Sequence, residues 1–277
     1  MHMKHRISML WPDGLKKALT FSYDDGVMQD LKLISLFRLY GLKGTFNLNS
    51  AFFGQIDAFI REGREIDHSH VPEEDISHVY AGFEVAVHTA HHPHLPNISS
   101  VNAVDEIVSD RAAMEALVKR PVRGMAYPFG TVNESVKNIV KTCGIAYSRG
   151  TGVTGDYSLP TDRYDWSCSC HHRDLEALID PFLEDDRRLS LLSVWGHSYE
   201  FDMTETWNIF ESQLERLGGN DDVWYASNIE VFDYIDAFNA LRWTVDGGIV
   251  ENPTCMDVFI ECDGETVCIP GGGMLEL

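Results

Sequence analysis

The chain has 277 residues, 44% of them hydrophobic, and a formal net charge of −21. That length admits one large domain, alone or with a small appendage, and no run approaches the roughly 20 apolar residues that a bilayer span needs. So acidic a surface repels phosphate backbones and anionic lipids, which sets nucleic acid and membrane aside as expected partners. Met1 to Lys17 carries basic residues with no apolar run behind them, so no secretory signal is read. The expected location is the cytoplasm, though a signal removed by processing would leave no trace. Cys143, Cys168, Cys170, Cys255, Cys262 and Cys268 then read as reduced thiols.

Lys17 to Tyr23 predicts a buried strand running into Asp24-Asp25-Gly26, and Gln29 to Tyr40 a helix closed by Gly41. Strands follow at Gly44 to Leu48 and Phe83 to Val87. Between them Phe52 to Tyr80 is polar and irregular, the kind of insertion that shapes a cleft; its His68, His70 and His78 read first as surface or cap residues. Helices at Asn102 to Lys119 and Asn133 to Thr142 alternate with short strands at Gly124 to Tyr127 and Ala146 to Arg149. Leu175 to Leu183 reads as a helix, Leu189 to Trp195 as a strongly buried strand, Glu205 to Leu217 as a helix, and Val223 to Ala226 with Ile229 to Leu241 as a last strand and helix. Repeated strand–helix units predict an α/β fold with parallel strands and outer helices, over residues 14–241. Residues 242–277 hold no helical pattern. Asp246-Gly247 and Asp263-Gly264 are hairpin turns between alternating runs, so this segment reads as a small antiparallel β appendage capping the barrel end.

Four groups fall at strand ends, where the loops of a parallel barrel build active sites. Asp24 and Asp25 are neighbouring carboxylates that repel each other unless a cation or hydrogen bonds stand nearby; the bland alternative is a helix N-cap. His88 and His92 are four apart, a spacing that on one helical turn sets both imidazoles toward one metal, with Thr89 as its cap. Two histidines and a carboxylate leave an open position for water. Tyr127-Pro128-Phe129-Gly130 is a turn whose Phe129 N–H can face the site as an oxyanion donor. His197 ends the most apolar strand, placed for general acid work, with a satisfied core histidine as the alternative. A further run, Cys168-Ser169-Cys170-His171-His172, contains ligand types at a spacing that matches no established zinc pattern.

Taken in order, Thr20-Phe21-Ser22-Tyr23-Asp24-Asp25-Gly26, His88-Thr89-x-x-His92-Pro93, Tyr127-Pro128-Phe129-Gly130, Asp165-Trp166 and His197 resemble the polysaccharide-deacetylase family, the NodB-homology group or carbohydrate esterase family 4. The resemblance spans about residues 17–240. It implies a distorted (β/α) barrel and one divalent metal ion, zinc before cobalt, nickel, manganese or iron. It also implies an acetylated saccharide as substrate. On the matching positions, Asp25, His88 and His92 resemble the metal ligands, Asp24 the general base and His197 the general acid. Asp165 resembles the acid that orients His197, Trp166 a wall of the substrate groove, and the Phe129 N–H an oxyanion donor. Tyr127 shares that turn. The family often has arginine where Ala126 stands, a part open to Arg123, Arg149 or Arg163. It often has leucine where Trp195 stands, which changes the acetyl pocket.

The reading is therefore a metal-dependent N-deacetylase. The alternatives are an O-acetyl esterase or a cyclic amide or imide hydrolase on the same fold and, ranked last, an inactive carbohydrate-binding relative. The same ligand set also serves non-haem iron oxygenases, against which the adjacent Asp24 argues.

Overall fold

The structure, a computed structural model, describes residues 5–277; Met1 to Lys4, part of the segment read for a signal, lie outside it. The chain passes in order through β1 (Ile7–Met9), β2 (Lys17–Asp25), α1 (Asp30–Leu39), β3 (Thr45–Leu48), β4 (Ala58–Arg61), β5 (Arg64–Asp67), α2 (Glu73–Val79) and β6 (Glu84–Val87). It continues through α3 (Ser100–Val118), β7 (Gly124–Ala126), α4 (Glu134–Thr142), β8 (Tyr147–Val153), β9 (Trp166–Cys168), β10 (Cys170–His171), α5 (Glu176–Glu184) and β11 (Ser190–His197). Helices α6 (Tyr199–Thr204) and α7 (Trp207–Leu217), strand β12 (Val223–Tyr225) and helix α8 (Asn228–Asn239) complete the α/β part.

The central sheet runs β10-β11-β2-β3-β6-β7-β8-β9, every neighbouring pair parallel. Strand β12 lies beside Lys17–Leu19 of β2, on the edge that β3 takes further along at Ser22–Asp25. Strands covered on both faces must be apolar throughout, and β2 is buried from Lys17 to Asp24. The hydrogen-bonded path does not close. Yet its two end strands, β9 and β10, are separated in sequence by Ser169 alone, so the sheet curls until its ends meet. At that seam Ser169 N–H donates to Ser193 Oγ at 2.8 Å and Ser193 N–H to Ser169 Oγ at 3.1 Å. This is the distorted barrel expected from the sequence. Among the described residues no helix is long and apolar enough to cross a membrane.

Two expectations are corrected. The helix predicted from Glu205 to Leu217 starts at Trp207 as α7, because Glu205, in the left-handed region at φ 56°, ends a preceding short helix, α6, that the sequence did not predict. The appendage does form two antiparallel three-stranded sheets. One holds β13 (Arg242–Trp243), β14 (Ile249–Glu251) and β17 (Met274–Glu276). The other holds β15 (Val258–Cys262) and β16 (Glu265–Ile269), but its third strand is β1 from the opposite end of the chain. Ala237 and Leu241 pack with Val250, Val258, Ile260 and Ile269, so one apolar cluster crosses the predicted boundary at 241.

One buried carboxylate in the sheet has a measurable consequence. Glu84 accepts from Thr45 Oγ, Tyr147 Oη and the Ile229 N–H at 2.8, 3.0 and 2.8 Å. Burial outweighs these donors and raises its pKa to about 7. Its folded pKa thus exceeds its unfolded one, so the acid form favours the fold: that contribution is complete below about pH 4.5 and is lost as pH rises through about 7. Urea unfolding of Glu84→Gln should therefore gain on the wild type between pH 5 and pH 8 by on the order of 1–3 kcal/mol. An unchanged difference across that window would refute the assignment.

Candidate active site

Asp25 closes β2, and the loop after β6 brings two histidines to it. His88 Nε2 and His92 Nε2 are 3.1 Å apart and lie 3.6 and 3.8 Å from Asp25 Oδ1. Ligand atoms about 2.0–2.1 Å from a tetrahedral zinc ion stand roughly 3.3 Å from one another, so the set fits one such ion. His88 Nδ1–H donates to Ala126 O at 2.8 Å, which fixes the tautomer and turns the Nε2 lone pair inward. The loop is pinned from behind. Asn49 Nδ2 donates to His88 O and Thr89 O at 2.7 Å each, and the His88 N–H donates to Asp110 Oδ2 at 3.1 Å.

The two histidines are not on a helical turn, as their spacing predicts. Residues 88–94 are irregular, with Thr89 at φ 65° and His92 at φ 54°, and the buried Thr89 hydroxyl caps nothing. Of nine non-glycine residues with positive φ among the described residues, four stand here: Asp25, Thr89, His92 and Phe129. Such conformations are unfavourable, most of all for β-branched Thr89, and concentrate where the fold must aim side chains.

Asp24 is buried beside this cluster. Its Oδ1 accepts from Asn47 Nδ2 at 2.8 Å and from the Arg149 guanidinium, leaving Oδ2 4.0 Å from His197 Nε2. Burial pushes the Asp24 carboxyl up, but the Arg149, His88 and His197 charges outweigh it and hold it below the usual range. Arg149, itself fully buried, is braced by Ser22 Oγ and Gly150 O and lies 4.9 Å over the Trp195 ring. Of the three arginines open to the part vacated at Ala126, it is the one at Asp24; Arg123 pairs with Asp233 and Arg163 with Asp236. Burial disfavours charge on His197, but Glu200, Asp25 and Asp24 raise its pKa to about 9. Trp195 fills the space between Arg149 and His197, its ring centroid 5.8 Å from that of His197. Phe129 is exposed, stacked on His94 at 3.9 Å and edge-on to His92 at 4.5 Å.

Three sequence candidates are placed elsewhere. Asp165 is 42% exposed and faces Lys137 at 3.6 Å; the acid beside His197 is Glu200, whose Oε1 is 3.7 Å from Nδ1. Trp166 is no groove wall but a core residue, packed on Phe232 at 5.3 Å and Tyr147 at 6.2 Å. Tyr127 is buried and donates to Tyr164 O at 2.7 Å. Conversely, His68, read as a surface residue, stands with Nε2 3.8 Å from Asp25 Oδ2, and His70 is buried beneath it, while His78 is exposed. Asn47 and Glu200 carried no motif. The i, i+3 spacing of His197 and Glu200 was the available signal for the second of them.

Residues 12–148, a span that holds Asp24, Asp25, His88 and His92, match the polysaccharide deacetylase family model. Arg149 and His197 lie beyond it. Among curated proteins, none matches in sequence. The fold is similar to that of a Mycobacterium smegmatis protein described as a polysaccharide deacetylase, with TM-score 0.61 and 14% identity, covering 86% of this chain and 96% of that one. It is also similar to a mutant of a Bacillus anthracis pseudoenzyme of carbohydrate esterase family 4, with TM-score 0.50 and 16% identity over 80% of this chain and 69% of that one. A Streptococcus pyogenes deacetylase in complex with acetate is matched at TM-score 0.42 and 16% identity over 48% of this chain, which spans 55% of that protein. At these identities the likeness is one of fold.

Proposed function

We propose that this chain is a metal-dependent hydrolase that removes the acetyl group from an N-acetylated sugar. The observation that carries the reading is the convergence of Asp25, His88 and His92 within 3.1–3.8 Å, with Asp24 tethered on one side and His197 facing it. A divalent ion held by those three, zinc before the other candidates, would acidify a water and polarise the acetyl carbonyl. Asp24 Oδ2, left free by the tethers on Oδ1, takes the proton of the attacking water. His197 Nε2 gives a proton to the departing nitrogen, so that the amide becomes acetate and an amine. The Phe129 N–H stabilises the developing oxyanion, and Trp195 bounds the acetyl pocket.

A second reading has one observation in its favour. The β4–β5 insertion leaves a cavity of about 270 Å³ over Asp25, lined among others by Gln55, Asp57, His68, His70 and Tyr199. That is room for a single small ring and suits a cyclic amide or imide. Both readings meet in one experiment. The chain is stripped of metal and reloaded with zinc, cobalt, nickel, manganese or iron. It is then offered N-acetylated chitin oligomers, O-acetylated xylan and small cyclic amides. Metal-dependent acetate from the oligomers is expected; ring opening without acetate release would replace the first reading with the second.

A further inference from the structure

The run Cys168 to His172, left without a role by the proposed chemistry, lies directly behind the proposed acid. His171 Nδ1 accepts the backbone N–H of Arg173 at 3.3 Å and its Nε–H at 2.9 Å. The ring proton therefore sits on Nε2, which stands 2.9 Å from Glu200 Oε2. His172 is stacked between Tyr23 and Phe201, with interplanar angles of 13° and 27°. Its buried Nδ1 has no partner and lies against Gly196, where any Cβ would come within 2.0 Å of it. Its Nε2 stands 3.3 Å from the same Glu200 oxygen. A carboxylate at that distance selects the tautomer protonated on Nε2, because the other sets a lone pair against an anion. Both imidazoles thus turn Nε2 toward Oε2 at ion-pair distance, where Oε2 accepts no hydrogen bond of regular geometry. The other oxygen, Oε1, is left 3.7 Å from His197 Nδ1 and 3.9 Å from Arg173.

We infer that Glu200 is the positioning residue of His197, and that His171 and His172 form the clamp that aims it. The inference rests on the function proposed above. Glu200 holds the His197 ring with a proton on Nδ1, so that Nε2, 4.0 Å from Asp24 Oδ2, carries the proton delivered to the leaving nitrogen. Gly196 completes the device: a side chain there would push His172 off Glu200. His171, His172 and Glu200 also offer three ligand atoms within 4.8 Å of one another. A cation among them would have to displace the Nε2 proton that His171 keeps while Arg173 engages its Nδ1, so the clamp is the better account.

The test compares leaving groups on the metal-loaded full chain. An amine needs a proton to depart, whereas the 4-nitrophenolate of 4-nitrophenyl acetate does not. Glu200→Gln should lower kcat on an N-acetylated oligosaccharide roughly 10–100-fold with KM unchanged, and leave 4-nitrophenyl acetate within about twofold. His172→Phe, which keeps the stack between Tyr23 and Phe201, should show the same split in smaller measure and stands in if the first variant fails to fold. Equal loss on both substrates, or on neither, overturns the inference, as does loss of bound metal in Glu200→Gln. If the wild type cleaves neither substrate, the proposed function is what has failed. The clamp is then read from the ring nitrogens of His197 by 15N NMR. Nδ1 should be protonated in the wild type and lose that state in Glu200→Gln; identical spectra would refute it.

Discussion

His88→Ala should give a folded chain that retains no divalent ion through dialysis and releases acetate at least about 10³-fold more slowly than the wild type. On the proposed function the imidazole supplies one of three ligand atoms, and its Nδ1–H bond to Ala126 O preorganises it. Asp25 and His92 alone would hold an ion weakly. Losing the ion removes several kcal/mol of stabilisation from the developing oxyanion, and about 4 kcal/mol corresponds to roughly 10³ in rate. The loop should survive, because Asn49 and Asp110 hold its backbone rather than its side chains. Metal content by elemental analysis, measured beside turnover, decides the matter. A variant that keeps one ion per chain and full activity would show that the ligands have been misidentified.

Asp24→Asn should behave oppositely with respect to metal. Asp25, His88 and His92 are untouched, so the ion stays, yet kcat should fall by roughly 10²–10⁴ because an amide cannot accept the water's proton. The carboxamide oxygen can still receive Asn47 and Arg149, which preserves the local shape. It cannot balance the Arg149 charge, and breaking one half of a buried ion pair costs about 3–5 kcal/mol. Thermal unfolding should therefore drop in this variant while circular dichroism stays native. Metal retained with full turnover would end the assignment of Asp24 as base.

The parallel core was legible because its strands are short apolar runs with glycine and proline punctuation, and β2, β3, β6 and β11 lie within two residues of their predicted bounds. That Asp25, His88 and His92 come together was legible from residue type and strand-end placement. The helical geometry assumed for His88 and His92 was not, because a backbone with two left-handed non-glycine residues has no periodic signature. Asp165 was favoured because a tryptophan follows it. The structure sends both residues away from the site, since β9 turns Trp166 into the core while Lys137 draws Asp165 to the surface. Arg149 and Glu200 were beyond pattern reading for another reason. Arg149 reaches Asp24 from another strand, a reach that spacing along the chain does not record, so it could not be chosen over Arg123 and Arg163; Glu200 offered only its i, i+3 spacing from His197. Glu205 misled because its composition suits a helix, and only its left-handed backbone shows that it separates two.

Strand β1 carries a consequence for the order of assembly. Ile7, Ser8 and Met9 pair with Cys262, Glu261 and Ile260, a separation spanning nearly the whole sequence. During synthesis β1 must wait for β15, with a barrel built between them. Contacts this remote in sequence raise contact order and form late. The barrel can therefore be complete, with Asp24 and His88 already together, while β1 is still unpaired. Ribosome-bound chains halted short of β15 should show that intermediate as a protease-sensitive leader on an otherwise resistant body.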